Sequence, residues 1–311
     1  MILNQIFILF LLMIVGYIAR KANVFSSSDS KGLSSLLIKV TMPAMIIHSM
    51  QKPFDPQLFR ESLQVLFFSC IVYTVSFFIA KLFVILFRPQ EKDQGVFQFM
   101  IVFSNVVFMG YPVLQAIFGE ESLFYGAIYN LPFNLLVFTL GIYFIQGKRK
   151  NTEQQLQQEK WKLLLHPAII AVGIGFTIFL FSISLPGPIQ DTLGLLGGLT
   201  TPLSMIIVGG LLAETDIKQI FGNWRLYILC TIRLIIFPMI TWGILQFFTK
   251  DLLMLGIPVI ISAMPVAANA AIIATEYDGN EALASQGIFL STLLSIGTIP
   301  LMAYLLSLFY Q

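Results

Sequence analysis

The chain has 311 residues, 57% of them hydrophobic and only 11% charged, with a net charge of +2 and a mean hydropathy of +0.85. A soluble domain carries roughly 25% charged residues, so this composition excludes a soluble enzyme or binding module and points to an integral membrane protein. The longest polar stretch, Gln146–Lys162, is too short for a further domain.

A run of about 20 apolar residues crosses a bilayer, and ten such stretches follow in order: 2–19, 33–50, 62–87, 95–118, 123–145, 165–184, 188–212, 224–248, 252–276 and 283–309. The first has no basic residues before it; Arg20 and Lys21 come after, so it reads as a retained helix and not as a signal peptide. Short connections rich in Pro, Gly or charge separate most of the others, such as KPFDPQ, FRPQEKDQ and SLPGP. Cys70 and Cys230 both fall inside apolar stretches and read as small buried hydrophobes, with no disulfide framework.

Lys and Arg concentrate on the cytoplasmic side of membrane proteins. With the loop after the fifth stretch placed inside, twelve cations fall in inner loops or at inner span ends, among them Arg20, Arg88, Lys148 and Arg225, against three outside, Lys52, Arg60 and Lys250. Both termini are therefore expected outside the cytoplasm, in a multi-pass protein of the cell membrane.

An internal repeat emerges from the motif TMPAMII at Thr41–Ile47, which returns as TPLSMII at Thr201–Ile207. Aligning Pro43 with Pro202 gives an offset of 159, and that offset carries stretches 1, 3, 4 and 5 onto 6, 8, 9 and 10. An odd number of helices per repeat forces opposite orientations. The expected fold is thus all-α, ten transmembrane helices in an inverted five-plus-five repeat: residues 1–145, a short cytoplasmic loop at 146–162, and residues 163–311.

Two stretches are interrupted at matching places. FSNVVFMGYP brings Asn105, Gly110 and Pro112 into the fourth, and AMPVAANA brings Pro265 and Asn269 into the ninth. Proline removes a backbone donor and crowds the carbonyl one turn back. Lipid cannot satisfy the freed groups, so breaks are tolerated where they are buried in protein or line a cavity. Paired interruptions in two halves of a membrane protein point to a transport site. Asn105 and Asn269 can donate and accept hydrogen bonds, to the partner helix or to a ligand; the alternative is a pair of proline kinks that only shape packing. Pro43 and Pro202 are further candidates for helix breaks.

Arg233 lies about nine residues into the eighth stretch, and a charge at that depth should face the bundle interior. It either caps carbonyls freed by a break or attracts an anion. Asn130 and Asn134 share a face of the fifth stretch and either look into the site or bond another helix. Lys39 and Lys81 are expected to snorkel. His48 and His166, near span ends, read as solvated interface histidines, with a proton relay as the other reading. No Asp or Glu occupies a span centre, which argues for an anionic or neutral solute over cation antiport. The sequence offers no nucleotide-binding loop, metal-ligand cluster, nucleophile constellation or basic face for nucleic acid, so no enzyme, cofactor or metal is expected.

The motifs MPAMI, FSNVVFMGYP, YNLPFNLLVFTLG, RLIIFP and AMPVAANAAIIATEYDGNEALAS resemble those of the auxin efflux carrier family, in its bacterial permease branch. The resemblance covers nearly the whole length. It implies a ten-helix inverted-repeat fold like that of plant auxin carriers and bile-acid transporters, with helices 4 and 9 crossing at the site and separate scaffold and transport subdomains. It also implies carriage of small carboxylates such as malate or malonate; auxin itself is not the expected substrate, since Gln146–Lys162 is a short loop where many plant members have a long one.

The resulting expectation is a secondary permease for a small organic anion working by alternating access. Asn105, Asn269, Asn134 and Arg233 are its substrate-binding candidates, and Gly110, Pro112, Pro265, Pro43 and Pro202 its helix-break candidates. Coupling to H+ or Na+ and a homodimer in the bilayer are both compatible with the sequence. The rival readings are a sodium-coupled symporter of the bile-acid type and a non-transporting membrane sensor.

Overall fold

The computed structural model describes residues 2–146, 166–214, 223–277 and 279–309. The predicted cytoplasmic loop beyond Gln146, with its cluster of basic residues, lies outside the described residues, as does Lys218. Everything regular among the described residues is helical, apart from a single antiparallel bridge between Ser104 and Val266.

In chain order the helices are α1 (Ile2–Lys21), α2 (Ser27–Leu36), α3 (Met42–Ser49), α4 (Pro56–Phe87), α5 (Glu91–Val102), α6 (Tyr111–Phe118), α7 (Glu121–Tyr129), α8 (Leu131–Leu136), α9 (Ile142–Gln146), α10 (Pro167–Leu180), α11 (Gly187–Gly198), α12 (Thr200–Glu214), α13 (Trp224–Thr231), α14 (Phe237–Leu245), α15 (Leu252–Ser262), α16 (Ala270–Glu276) and α17 (Glu281–Phe309). Local chemistry sets several of their starts. Ser26 and Asp29 form a reciprocal capping box before α2, and the Asp251 carboxylate accepts from Met254 N–H to open α15.

Six described helices are long and apolar enough to cross a membrane: Asn4–Lys21, Ser27–Ser49, Pro56–Phe87, Gly187–Ala213, Trp224–Leu245 and Glu281–Leu308. A seventh arises if Glu121–Leu136 and Thr139–Gln146, bent by 43°, count as one span. The remaining predicted stretches hold shorter apolar helices, Val106–Phe118, Pro167–Leu180 and Leu252–Ser262.

Three prolines share one local device. Wide π turns at Leu37–Thr41, Val106–Gly110 and Ile232–Ile236 each end two residues before a proline: Pro43, Pro112 and Pro238. The carbonyl that a proline ring crowds is four residues back. That places it on Lys39, Phe108 and Leu234, the middle residue of each π turn. Widening the helix there moves the carbonyl aside; Met42 and Phe237 N–H then bond five residues back, to Leu37 O and Ile232 O. Pro43 therefore does not break its helix, which runs on through the π turn over Ser27–Ser49; Pro202 stands in the first turn of α12, just after the single-residue turn at Leu199 that separates α11 from α12.

The chain divides into two compact units. The first comprises Met1–Leu66, Val107–Leu131 and Trp161–Glu214. Here small residues let backbones meet. A Cβ on Gly16 would lie 2.2 Å from Ile206 O, and one on Gly209 would lie 1.9 Å from Met13 O, so α1 and α12 touch main chain to main chain. Gly197 abuts the Met45 Cα, and Gly175 abuts the Met50 side chain. Such close approach replaces the hydrophobic drive that lipid cannot supply between helices.

The second unit comprises Phe67–Val106, Pro132–Lys160 and Thr215–Gln311. A Cβ on Gly95 of α5 would lie 1.8 Å from Phe144 O of α9, and Arg225 Nε donates to Phe87 O at 3.0 Å, capping the end of α4. This unit contains the helix break points.

Candidate functional site

Helix α5 stops at Val102, and Phe103 turns to extended backbone at φ −100, ψ 115. Helix α15 stops at Ser262 and the chain does not resume a helix until Ala270. The two gaps lie against each other. Asn105 N–H donates to Pro265 O at 2.9 Å, and Ala267 N–H donates to Phe103 O at 3.0 Å. Each break thus satisfies main-chain groups freed by the other, as a water-free interior requires.

Three further bonds complete the crossing. Val266 N–H donates to Ser291 Oγ of α17 at 3.1 Å. Arg233 Nη1 donates to Ile101 O at 2.8 Å, and its Nη2 donates to Ser104 Oγ. Ile101 is in the last turn of α5, where carbonyls lack helical partners and the helix dipole is negative. A guanidinium there supplies donors and opposite charge together. Arg233 is fully buried and its guanidinium lies 5.3 Å from the Phe237 ring centre. Its bond to Ile101 O is the contact that the capping role calls for.

The structure relocates part of the predicted site. The gap in the fourth stretch falls at Phe103–Asn105, ahead of Gly110 and Pro112. Those two lie in the continuous helix Val106–Phe118, because the π turn absorbs the proline. The ninth stretch breaks where expected, with Pro265 inside the gap and Asn269 at its end, heading α16. Asn105 and Asn134 are both buried, at 3% exposure each. Phe133, beside Asn134, meets the Phe103 ring edge-on at 5.7 Å. The Asn269 Oδ1 is buried with no hydrogen-bond partner. In the first unit, Asn130 lies beside the Tyr111 hydroxyl. His48 is half-buried, with its Nδ1 out of solvent and its ring against Gly194.

Three positions escaped the sequence reading. Ser104 and Ser291 are ordinary buried serines by composition, and only their contacts at the crossing distinguish them. Glu61, at the edge of the third stretch, accepts hydrogen bonds from Tyr125 and from Gln57 Nε2. The pattern E-S-L-Q at a span start carries no signal for that pairing.

An all-helical membrane protein whose two interrupted helices bond through their gaps belongs to the class of membrane transporters. The comparison with known sequences agrees. Residues 1–303 match the family described as membrane transport protein, and the chain belongs to this family, that of the auxin efflux carriers. An uncharacterized transporter of Methanothermobacter thermautotrophicus is 29% identical over 304 residues, covering 95% of both chains. An uncharacterized transporter of Methanocaldococcus jannaschii is 24% identical over 312 residues, covering 98% of both. The mouse lysosomal cholesterol signaling protein is 22% identical over 324 residues, matching 95% of this chain and 36% of its own length.

Proposed function

We propose that this transporter is a secondary carrier for a small organic anion, a mono- or dicarboxylate such as malate or malonate, working by alternating access at the crossing. The observation that carries this reading is the reciprocal pair of main-chain bonds between Phe103–Asn105 and Pro265–Ala267. It holds the unwound backbone of both breaks in one place, with Asn105 in one break and Asn269 at the end of the other, the arrangement that suits a substrate site near the bilayer midplane. The sign of the charge supports an anion: among the described residues the buried charged side chain is Arg233. Asn105 and Asn269 are assigned to the carboxylate, Asn134 to the wall of the site, and Arg233 to holding the crossing and lending it positive potential.

We further propose ten spans in an inverted repeat, 1–145 and 163–311, in the cell membrane with both termini outside the cytoplasm. Two contacts support the repeat. Gly16 and Gly175 are related by the sequence offset of 159, and each takes a close contact from a neighbouring helix. The two crossing bonds interchange under an offset of 162, since Phe103 maps to Pro265 and Asn105 to Ala267. Such a swap is what an in-plane two-fold axis through the crossing would produce.

The test is tracer flux in proteoliposomes over a panel of mono- and dicarboxylates, with and without sodium and a pH gradient. Saturable carboxylate uptake supports the reading, and strict sodium dependence would move it to a sodium symporter. Silence across the panel from folded, inserted protein would overturn the carboxylate assignment.

A further inference from the structure

In the first unit, the helix 187–213 is tied to its neighbours by main-chain contact at two points, Gly197 on Met45 and Gly209 on Met13. Thr201 lies between them. A helical threonine hydroxyl commonly donates to the carbonyl one turn back, as Thr41, Thr177 and Thr231 do here. Among the described residues, Thr201 is the one threonine whose hydroxyl donates outside its own helix: it reaches Gln115 Oε1 of α6 at 2.9 Å. Helix α6 belongs to the second half of the interrupted fourth stretch.

We propose that the Thr201–Gln115 hydrogen bond is a latch, holding the second half of the fourth stretch against the 187–213 helix in one of the two states of the transport cycle. The proposal rests on the alternating-access reading above. Its chemistry suits a contact that must open. When the latch parts, the Thr201 hydroxyl can turn to the Gly197 carbonyl of its own helix, so no donor is orphaned. Gln115 is half-buried, so its amide oxygen can be met by water. The backbone contacts at Gly197 and Gly209 have no such alternative and stay closed.

An interhelical side-chain bond in a membrane protein averages about 0.6 kcal/mol and reaches about 1.7. Thr201→Val should therefore shift the ratio of the two states about threefold, and at most about eighteenfold. Thr201→Ser should keep the wild-type ratio. Spin labels on Glu120→Cys and Asp191→Cys, both exposed in the first unit, in a Cys70→Ser, Cys230→Ala background, read this by pulsed electron–electron distance measurement. Two distance populations whose ratio moves at least threefold in Thr201→Val support the latch. One population, or a ratio unchanged by Thr201→Val, overturns it. If the ratio moves while no carboxylate is carried, the latch stands and the carboxylate reading falls. If carboxylate flux is robust and the ratio does not move, the carrier stands without a latch.

Discussion

Replacing Arg233 by methionine tests whether this buried cation holds the crossing together. The side chain makes hydrogen bonds to Ile101 O and Ser104 Oγ. Bonds from a charged donor are each worth about 1.5–3 kcal/mol, so losing both removes roughly 3–6 kcal/mol. Its position at the negative end of α5 adds about 0.3–1 kcal/mol. Against this, a buried cation costs about 2.5–3.5 kcal/mol on insertion scales, and methionine removes that cost. At the middle of these ranges the balance is a net destabilisation of about 2 kcal/mol, or about 4–8 °C in Tm at about 2–4 °C per kcal/mol. Thermal unfolding in detergent, followed by loss of the monodisperse peak, measures it. Arg233→Lys keeps the charge and its cost but not the planar fork, and should be no more stable than the methionine variant. If Arg233→Met equals or exceeds wild type, the arginine is not the cap of the broken helix. In variants that remain folded, an unchanged KM for the carried anion would restrict the arginine to capping, whereas a raised KM with unchanged kcat would place it on the substrate.

Other perturbations follow from the same contacts. Gly209→Val must push α1 off α12, because its Cβ would lie 1.9 Å from Met13 O; size-exclusion profiles should show loss of folded protein, and a normal profile would refute the close contact. Ser291→Ala leaves Val266 N–H buried without its partner; an unsatisfied buried donor costs about 1–3 kcal/mol, so Tm should fall while Ser295→Ala, whose hydroxyl bonds only its own helix, stays near wild type. Tyr125→Phe removes a bond to the Glu61 carboxylate, worth about 1.5–3 kcal/mol when the acceptor is charged. Its loss should lower Tm at neutral pH, and a double-mutant cycle with Glu61→Gln should show coupling between the two.

The membrane class and the course of the helices are legible in the sequence because lipid imposes one simple demand, a run of apolar residues with its backbone bonded internally. The break at Pro265 is legible for a related reason: proline deletes a donor wherever it stands. The break at Phe103–Asn105 is legible only to within the motif FSNVVFMGYP, since no residue at 103–105 itself forbids a helix. It is set by partners far along the chain, the Pro265 and Ala267 main chain and Arg233. Gly110 and Pro112 draw attention instead, yet a π turn accommodates that proline without a gap. Arg233 announces itself by its depth, but capping and anion attraction need the same charge, and only the Ile101 carbonyl shows the first. Contacts such as Tyr125 with Glu61, or Thr201 with Gln115, join residues 64 and 86 positions apart, and nothing local to either partner foretells them.

Counterflow asks whether the crossing binds and carries a small carboxylate. Proteoliposomes preloaded with unlabelled malate or malonate are given the labelled anion, using wild type, Asn105→Ala and Asn269→Ala at matched folded amounts. Wild type should give a transient overshoot of label that both variants lose while keeping their unfolding profiles. An overshoot that survives in both variants would contradict a substrate site at the crossing.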